Sequence, residues 1–400
     1  MKNLSDILEK IFAILSLTFF TGGLSLGGTV PNGPLTAFRY LMWFISGLLL
    51  VLRWRTTLAL AKRDLFIWVV TVMAVISFTW SNVPAYVLQN SREVVQMTFF
   101  GLYFAGRFSL KEQLQLVAWT LGIGAVASIF TAVLFPSIGI HGADHPGAWK
   151  GIYDYKNTLG SMMTLSMVAF YLLATNKQPR RLFAWCGCGL SLILMLSSTS
   201  KTSLTMTLLL LLFVSFYRKF QWRGKITILI LDLMMLFLGG LGLVVFTNWV
   251  SILTGMGRDP TLTGRTEIWG VALTRLSEHL PLGFGRGAFW APGSKNALEA
   301  GLAVSLNFIP PHVHNGFLDL ALDIGLIGFI CFAISFMLVF WRALKQGYAT
   351  KATEELWPLV FLIYLAMNNV TESYLLRLAN LYWVLFLVAV FSVRQGRRAY

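Results

Sequence analysis

Apolar residues in this chain form long, almost uninterrupted runs. Residues 225–247 read KITILILDLMMLFLGGLGLVVFT, and residues 202–217 read TSLTMTLLLLLFVSFY. A helix needs roughly 20 mostly apolar residues to cross about 30 Å of hydrocarbon. The pattern therefore predicts an all-α polytopic membrane protein with about 12 transmembrane helices. We place these helices at residues 9–24, 37–52, 64–80, 92–106, 113–135, 158–175, 182–198, 202–217, 226–247, 316–341, 356–370 and 377–393.

The composition supports this class. Of the 400 residues, 56% are hydrophobic and 12% are charged. A soluble domain usually carries about a quarter charged residues. Because so few charges cannot cover a water-exposed surface, we expect lipid to solvate most of the exterior.

The net charge of +15 is distributed unevenly between the two sides of the membrane. With the N-terminus inside, 21 of the 32 Lys and Arg residues fall in the cytoplasmic segments and 11 in the longer outer segments. This positive-inside asymmetry predicts that both termini are cytoplasmic. It also accounts for the basic composition without a nucleic-acid partner.

Two connections are long, and both fall on the outer side: residues 136–157 and 248–315. We see no linker or repeat that would divide the chain, so residues 1–400 are predicted to form a single transmembrane domain. The second connection is inserted between spans 9 and 10. Its residues 266–280 predict an amphipathic helix, with Thr263 or Thr266 as the cap. The apolar stripe of this helix consists of Ile268, Trp269, Ala272 and Leu276.

The outer basic residues run against the topological bias. They are Arg39, Arg92, Lys150, Lys156, Lys201, Arg258, Arg265, Arg275, Arg286, Lys295 and Arg377. For any one of them, snorkelling at the membrane interface is an alternative. As a set, they suit an anionic, membrane-embedded ligand such as a lipid diphosphate, because Arg matches phosphate oxygens with a planar fork and Lys supplies a point charge.

All five histidines also lie in outer segments, at His141, His145, His279, His312 and His314. On an extended segment the rings of His312 and His314 would face the same way. Three roles stay open for this pair: metal ligands, incidental loop residues, or a base and substrate contact centred on His314. A zinc site needs further ligands, and no carboxylate or cysteine stands at close spacing, so we expect no metal.

Polar residues recur every fourth position at the start of the next helix: Asn315, Asp319 and Asp323. Acids within a span are costly and normally face the bundle interior or a wet cavity. A substrate role and a structural hydrogen bond are both open for Asp323. The segment GFGRG at residues 283–287 lacks the preceding strand of a dinucleotide-binding loop. It is predicted to allow a tight turn or a close approach to a ligand.

Four separated segments together resemble a known family. They read WKGIYDYKNTLG at 149–160, SSTSKTSL at 197–204, TGRTEIWGVAL with PLGFGRGAFW within 263–290, and HVHNGFLDLALDIGLIG at 312–328. Their order resembles the O-antigen ligase and exopolysaccharide polymerase superfamily of bacterial envelope glycosyltransferases. Residues 78–93 (FTWSNVPAYVLQNSRE) are similar to its exopolysaccharide-polymerase branch.

The resemblance implies a metal-independent, cofactor-free transferase of the bacterial inner membrane that uses undecaprenyl-diphosphate-linked sugars on the periplasmic side. An Arg and a His that are critical in the family match Arg265 and His314. A basic residue in the serine-rich turn matches Lys201, where ligases typically carry Arg. This departure favours a polymerase.

The outer residues fit this chemistry. A leaving diphosphate requires cations to neutralise its developing charge, and an acceptor hydroxyl requires a base such as His314. The candidate diphosphate ligands are Arg265, Lys201, Arg92, Lys156 and Arg286. The candidate glycan contacts, or structural groups, are Asn157, His312, Asn315 and Asp319.

The leading hypothesis is a polymerase that moves a growing glycan from undecaprenyl diphosphate onto the non-reducing end of another lipid-linked repeat. Its expected partners are the donor, the acceptor, membrane lipid and a chain-length regulator. A ligase that transfers the glycan to lipid A core is the alternative. A lipid-linked oligosaccharide transporter is the alternative of another class, although such proteins often carry internal repeats and midplane sites, which are not evident here.

Overall fold

A computed structural model of the protein describes residues 2–142, 145–175, 181–220, 264–306, 308–348, 352–377 and 380–393. Within these ranges the chain is helical, apart from loops and one antiparallel bridge between Ile140 and Trp149. The helices are α1 (Lys2–Phe20), α2 (Asn32–Leu52), α3 (Trp54–Ala61), α4 (Leu65–Ile76), α5 (Pro84–Arg107), α6 (Leu110–Leu134), α7 (Pro136–Gly139), α8 (Lys156–Ala174), α9 (Arg181–Ser197), α10 (Lys201–Phe220), α11 (Arg265–Glu278), α12 (Lys295–Leu302), α13 (Gly316–Tyr348), α14 (Trp357–Thr371) and α15 (Leu381–Ser392). The predicted span at 226–247 and the first part of the loop at 248–315 lie outside the described residues.

Among the described residues, four helices are long and apolar enough to cross a membrane: Asn32–Leu52, Leu110–Leu134, Lys156–Ala174 and Gly316–Gly347. Shorter apolar helices occur at Leu65–Thr79, Arg181–Ser197, Lys201–Tyr217 and Leu381–Ser392. Large apolar side chains such as Phe44 and Val51 on α2 are exposed, which suits contact with lipid. The all-α polytopic prediction agrees with this architecture, whereas the number of about 12 spans stays a prediction.

Helix α15 lies at the centre of the bundle. Each of its residues from Leu381 to Phe391 is buried. It begins where the Asn380 side chain accepts hydrogen bonds from the backbone N–H groups of the first turn, as an N-cap does. It packs closely on α5 at Gly101, where a Cβ atom would lie 2.9 Å from the Cβ of Leu387. A larger residue at position 101 would therefore push the two helices apart.

Helix α13 is interrupted at Gly325, whose φ of 68° is not helical. The glycine-rich segment at 283–287 inserts at this break. Phe284 N donates to the Leu322 carbonyl at 2.8 Å, and Gly285 N donates to the Asp323 carbonyl at 3.1 Å. The segment turns at three glycines with φ between 68° and 96°. The predicted tight turn is confirmed, and it supplies hydrogen bonds to carbonyls that the broken helix cannot satisfy.

The two ends of the bundle are held by different contacts. At one end the Glu9 carboxylate of α1 accepts from Arg53 at 2.7 Å and from Arg107 at 2.9 Å. At the other end the loop after α1 meets the loop before α8, where Gly27 N donates to the Ile152 carbonyl at 3.0 Å. The second end carries the candidate site.

Candidate active site

The Glu372 carboxylate, at the end of α14, brings together three residues that the sequence singles out. Its Oε1 accepts from Asn157 Nδ2 at 3.3 Å and lies 3.8 Å from Arg265 Nη2. Its Oε2 lies 3.6 Å from His314 Nδ1. These partners come from α8, from α11 and from the loop before α13. One carboxylate therefore joins three distant parts of the chain.

The backbone around Glu372 fixes this arrangement. Arg265 Nη1 donates to the Thr371 carbonyl at 2.8 Å, and Gly316 N donates to the Glu372 carbonyl at 3.0 Å. A Cβ atom on Gly316 would lie 1.9 Å from Asn369 Oδ1. A glycine is thus required here for the start of α13 to approach the end of α14.

Helix α11 begins with Arg265 and packs against the rest of the protein through its apolar stripe. Ile268 and Leu276 are buried, together with Ala272 between them, so the predicted amphipathic helix is confirmed. Trp269 Nε1 donates to the Val313 carbonyl at 2.7 Å, which ties the helix to the histidine loop. Helix α11 thus sets the distance between Arg265 and His314.

The predicted cap of α11 is wrong at Thr266. The helix begins after Gly264, which adopts a left-handed φ of 83° and makes no side-chain cap. Thr266 lies inside the first turn, and its hydroxyl donates to Glu267. Thr263 lies outside the described residues.

His314 adopts an unusual backbone conformation, with φ of 55°. A residue that is not glycine in this region costs of order 1–3 kcal/mol and is sustained only by its surroundings. The Nδ1 atom is buried and has no hydrogen-bond partner among the described residues, although the Glu372 carboxylate faces it. The distance of 3.6 Å is slightly beyond that of a hydrogen bond.

His312 stands beside His314, with ring centroids 4.1 Å apart. Its Nδ1 accepts from the His314 backbone N–H at 3.1 Å, which requires an unprotonated Nδ1. Burial, followed by the positive charge of Arg377, lowers the pKa of His312 to about 2. His312 is therefore a neutral acceptor that holds the His314 backbone.

The ligand atoms of His312, His314 and Glu372 lie within 4.8 Å of one another. Glu372 is thus a third potential metal ligand, which the spacing of residues in the sequence did not reveal. Two cations oppose a metal ion here: Arg265 is paired with Glu372, and Arg377 acts on His312. The expectation of a metal-free reaction therefore remains a prediction that a chelator can test.

Asn315 and Asp319 have structural partners. The Asn315 side chain accepts from two backbone N–H groups at 3.1 Å and caps α13. Asp319 accepts from Trp290 Nε1 and from Arg377 Nη2, both at 2.7 Å. These bonds favour the structural interpretation of both residues over direct glycan contact.

Arg286 and Asp323 also have internal partners. Asp323 accepts from Gly287 N at 2.8 Å, so a structural hydrogen bond accounts for this buried acid. Arg286 is buried, its guanidinium donates to the Leu376 carbonyl, and its backbone N donates to Ser77 Oγ at 3.0 Å. The structure thus places Arg286 between loops rather than on the Glu372 cluster.

Lys156 and Lys201 lie at the same end of α8 as Asn157. Lys156 is the first residue of this helix. The turn before Lys201 packs on α8 at Gly160, where a Cβ atom would lie 2.8 Å from the Cβ of Ser200. Within the part of the chain that the structure describes, neither lysine forms an ion pair. Both charges are therefore free to meet an anionic ligand.

Sequence reasoning missed Glu372, and it named Arg377 among the outer basic residues without assigning it to the site. Glu372 lies in the short connection between the last two predicted spans, and Arg377 is the first residue of the last one. Arg92, by contrast, is exposed on α5 and lines a separate cavity with Arg39. The structure therefore brings Asn157, Arg265, His312 and His314 together around Glu372, with Arg92 elsewhere.

Two known proteins or families are similar to part of the chain. Residues 182–333 match the family described as O-antigen ligase. The chain is 30% identical over 115 residues to the exopolysaccharide production protein ExoQ of Rhizobium meliloti (strain 1021). That alignment covers 27% of this chain and 26% of the relative, so the chain spans about a quarter of the relative's length.

Proposed function

We propose that this member of the O-antigen ligase and exopolysaccharide polymerase superfamily is a polysaccharide polymerase. It transfers a growing glycan from undecaprenyl diphosphate to the non-reducing end of another lipid-linked repeat. The observation that carries the proposal is the Glu372 carboxylate, which contacts an arginine suited to diphosphate and faces a histidine suited to act as a base. The reaction takes place on the periplasmic side of the inner membrane.

Arg265 stabilises the leaving diphosphate. Its guanidinium uses one donor on the Thr371 carbonyl and lies 3.8 Å from Glu372, so other N–H donors remain for phosphate oxygens. Lys201 and Lys156 add positive charge at the same end of the bundle. Fixed donors that meet developing negative charge are often the largest catalytic contribution.

His314 accepts the proton of the acceptor hydroxyl. The hydroxyl oxygen bonds to the anomeric carbon while the bond from that carbon to the diphosphate breaks. The proton passes to the imidazole, and the electron pair leaves with the diphosphate. Glu372 faces the other ring nitrogen, where a carboxylate orients the ring and stabilises the imidazolium. Direct displacement inverts the anomeric configuration.

Three observations favour a polymerase over a ligase. Lys201 stands where ligases typically carry Arg, and the relative's name refers to exopolysaccharide production. Residues 78–93 are similar to the polymerase branch. Transport is disfavoured because, among the described residues, the Glu372 cluster lies at one end of the bundle and the Glu9 cluster at the other, rather than along a central path.

The acceptor decides between these functions. The purified chain in lipid vesicles is given undecaprenyl-diphosphate repeat units, with or without lipid A core, and the products are resolved by size. A ladder without lipid A core supports the polymerase. Transfer only when lipid A core is present establishes a ligase, and folded protein with neither product contradicts the proposed function.

A further inference from the structure

A polar cavity of about 280 Å³ lies between α2 and α5. Its lining includes Arg39, Tyr40, Trp43, Arg92 and Glu93. None of them belongs to the Glu372 cluster. Helix α5 extends eight residues beyond the predicted span at 92–106 because it begins at Pro84, a residue suited to the first helical position. The added turns form one wall of the cavity.

The cavity carries an excess of positive charge. Arg39 Nη1 pairs with Glu93 Oε1 at 2.5 Å, which leaves Arg92 as the second cation. Arg92 is exposed and forms no ion pair within the described residues. The Nε of Arg39 is buried and lacks a hydrogen-bond partner in the same part of the chain. The exposed Arg92 guanidinium is the group in this cavity that an anion reaches and pairs with.

An apolar groove of about 440 Å³ continues from this cavity down the side of α2. Tyr40 and Trp43 line both, and the groove is completed by Phe44, Gly47, Leu48 and Phe99. Phe44 is 69% exposed, so none of the described residues covers this face of α2. From Arg39 to Leu48 the helix rises about 13 Å, which matches an extended chain of roughly ten carbons.

We propose that the cavity and groove bind the acceptor lipid, with its diphosphate at Arg39 and Arg92 and its polyprenyl chain along Gly47. The inference rests on the proposed polymerase function. The acceptor reacts at its non-reducing end, so its own diphosphate must lie one repeat unit away from the reacting hydroxyl. A second diphosphate site that shares no residue with the site around Arg265 meets this requirement.

Two variants separate the head group from the chain. Arg92→Gln removes the unpaired charge on an exposed side chain, so folding is not at risk. Gly47→Phe fills the groove, because a Cβ at this position already lies 3.6 Å from the Phe99 ring. The matched controls are Arg55→Gln, an exposed arginine outside the cavity, and Leu41→Phe, an exposed position on α2 that does not line the groove.

The experiment measures binding of radiolabelled undecaprenyl diphosphate to the purified full chain in nanodiscs. We expect two molecules per wild-type chain. Arg92→Gln and Gly47→Phe weaken one of the two at least about tenfold, and Arg265→Gln weakens the other. The controls bind as wild type does. Unchanged binding in both cavity variants would overturn the inference, as would displacement of the label by phosphatidylglycerol at equal concentration.

The two proposals fail in different ways. Binding that depends on Arg92 and Gly47, together with no glycan ladder, leaves the lipid site standing and removes the polymerase. If Arg92→Gln and Gly47→Phe produce a glycan ladder at the wild-type rate and length, the polymerase function is supported and the acceptor-lipid site is removed.

Discussion

The Nδ1 atom of His314 lies 3.6 Å from Oε2 of Glu372, and this pair joins the start of α13 to the end of α14. A base needs a second group that fixes its ring and stabilises the proton it gains. In the proposed mechanism, Glu372 supplies that group from an element remote in sequence. Since the same carboxylate lies 3.8 Å from Arg265, one residue aligns the proposed base with the proposed diphosphate ligand.

Removing the charge of Glu372 is expected to slow catalysis. Glu372→Gln keeps the size of the side chain but no longer stabilises an imidazolium, so kcat falls about 10²- to 10⁴-fold while KM changes little. Glu372→Asp restores part of the rate. Steady-state kinetics of polymer formation measure both. Glu278→Gln, in an exposed pair with Arg275, serves as the control and keeps the wild-type rate, and an equally active Glu372→Gln would remove this residue from the mechanism.

Arg265→Lys keeps a positive charge but loses the planar fork. We expect kcat to fall about 10²- to 10³-fold, because the transition-state charge on the diphosphate loses a fixed donor. Diphosphate release measures the rate. Arg275→Lys on the same helix changes an outer ion pair with Glu299 and is expected to leave the rate unchanged. A similar loss in both variants would indicate damage to α11 rather than to catalysis.

Gly316→Ala is expected to destabilise the site. The added Cβ would lie 1.9 Å from Asn369 Oδ1, so α13 must move away from α14 and His314 from Glu372. Both Tm and activity should fall. Gly270→Ala is the matched control, since nothing lies within 4 Å of its Cβ and alanine favours the helix by about 0.5–1 kcal/mol. Equal Tm values for the two variants would contradict the close approach.

His312 is expected to make the protein less stable in acid. Its pKa is lowered to about 2 in the folded protein, whereas an unfolded histidine titrates near pH 6.5. Between these values the unfolded chain binds the additional proton, so stability falls as the pH decreases below about 6.5. His312→Asn keeps an acceptor near the position of Nδ1 and should lose less Tm between pH 7 and pH 5 than the wild type. Parallel Tm curves would show that His312 is protonated in the fold.

The apolar runs and the amphipathic stripe of α11 could be predicted because each depends on residues close in the chain. Arg265, His314 and Asn157 emerged as candidates from their charge and titration chemistry on the outer side and from the family resemblance. Their contact could not be predicted, because the packing of α14 beside the start of α13 decides which outer connections meet. Glu372 was missed for this reason.

Other details depend on backbone conformation. The break at Gly325 and the cap at Gly264 both use a positive φ. A glycine in the sequence allows a positive φ but does not show that the chain adopts it. Charged residues are subject to the same limit. The sequence predicted an outer location for Arg92 and Arg286, but it did not predict that Arg92 lines a cavity or that Arg286 contacts a loop.

The most direct test of the central claim is glycan synthesis by His314→Gln in vesicles that contain EDTA. Wild-type protein with undecaprenyl-diphosphate repeats should give the same ladder with and without the chelator. The variant, shown to be folded by its Tm and elution volume, should give none. A ladder from His314→Gln at the wild-type rate would contradict the role of His314 as base. A wild-type ladder that EDTA abolishes and a divalent cation restores would assign His312, His314 and Glu372 to a metal instead.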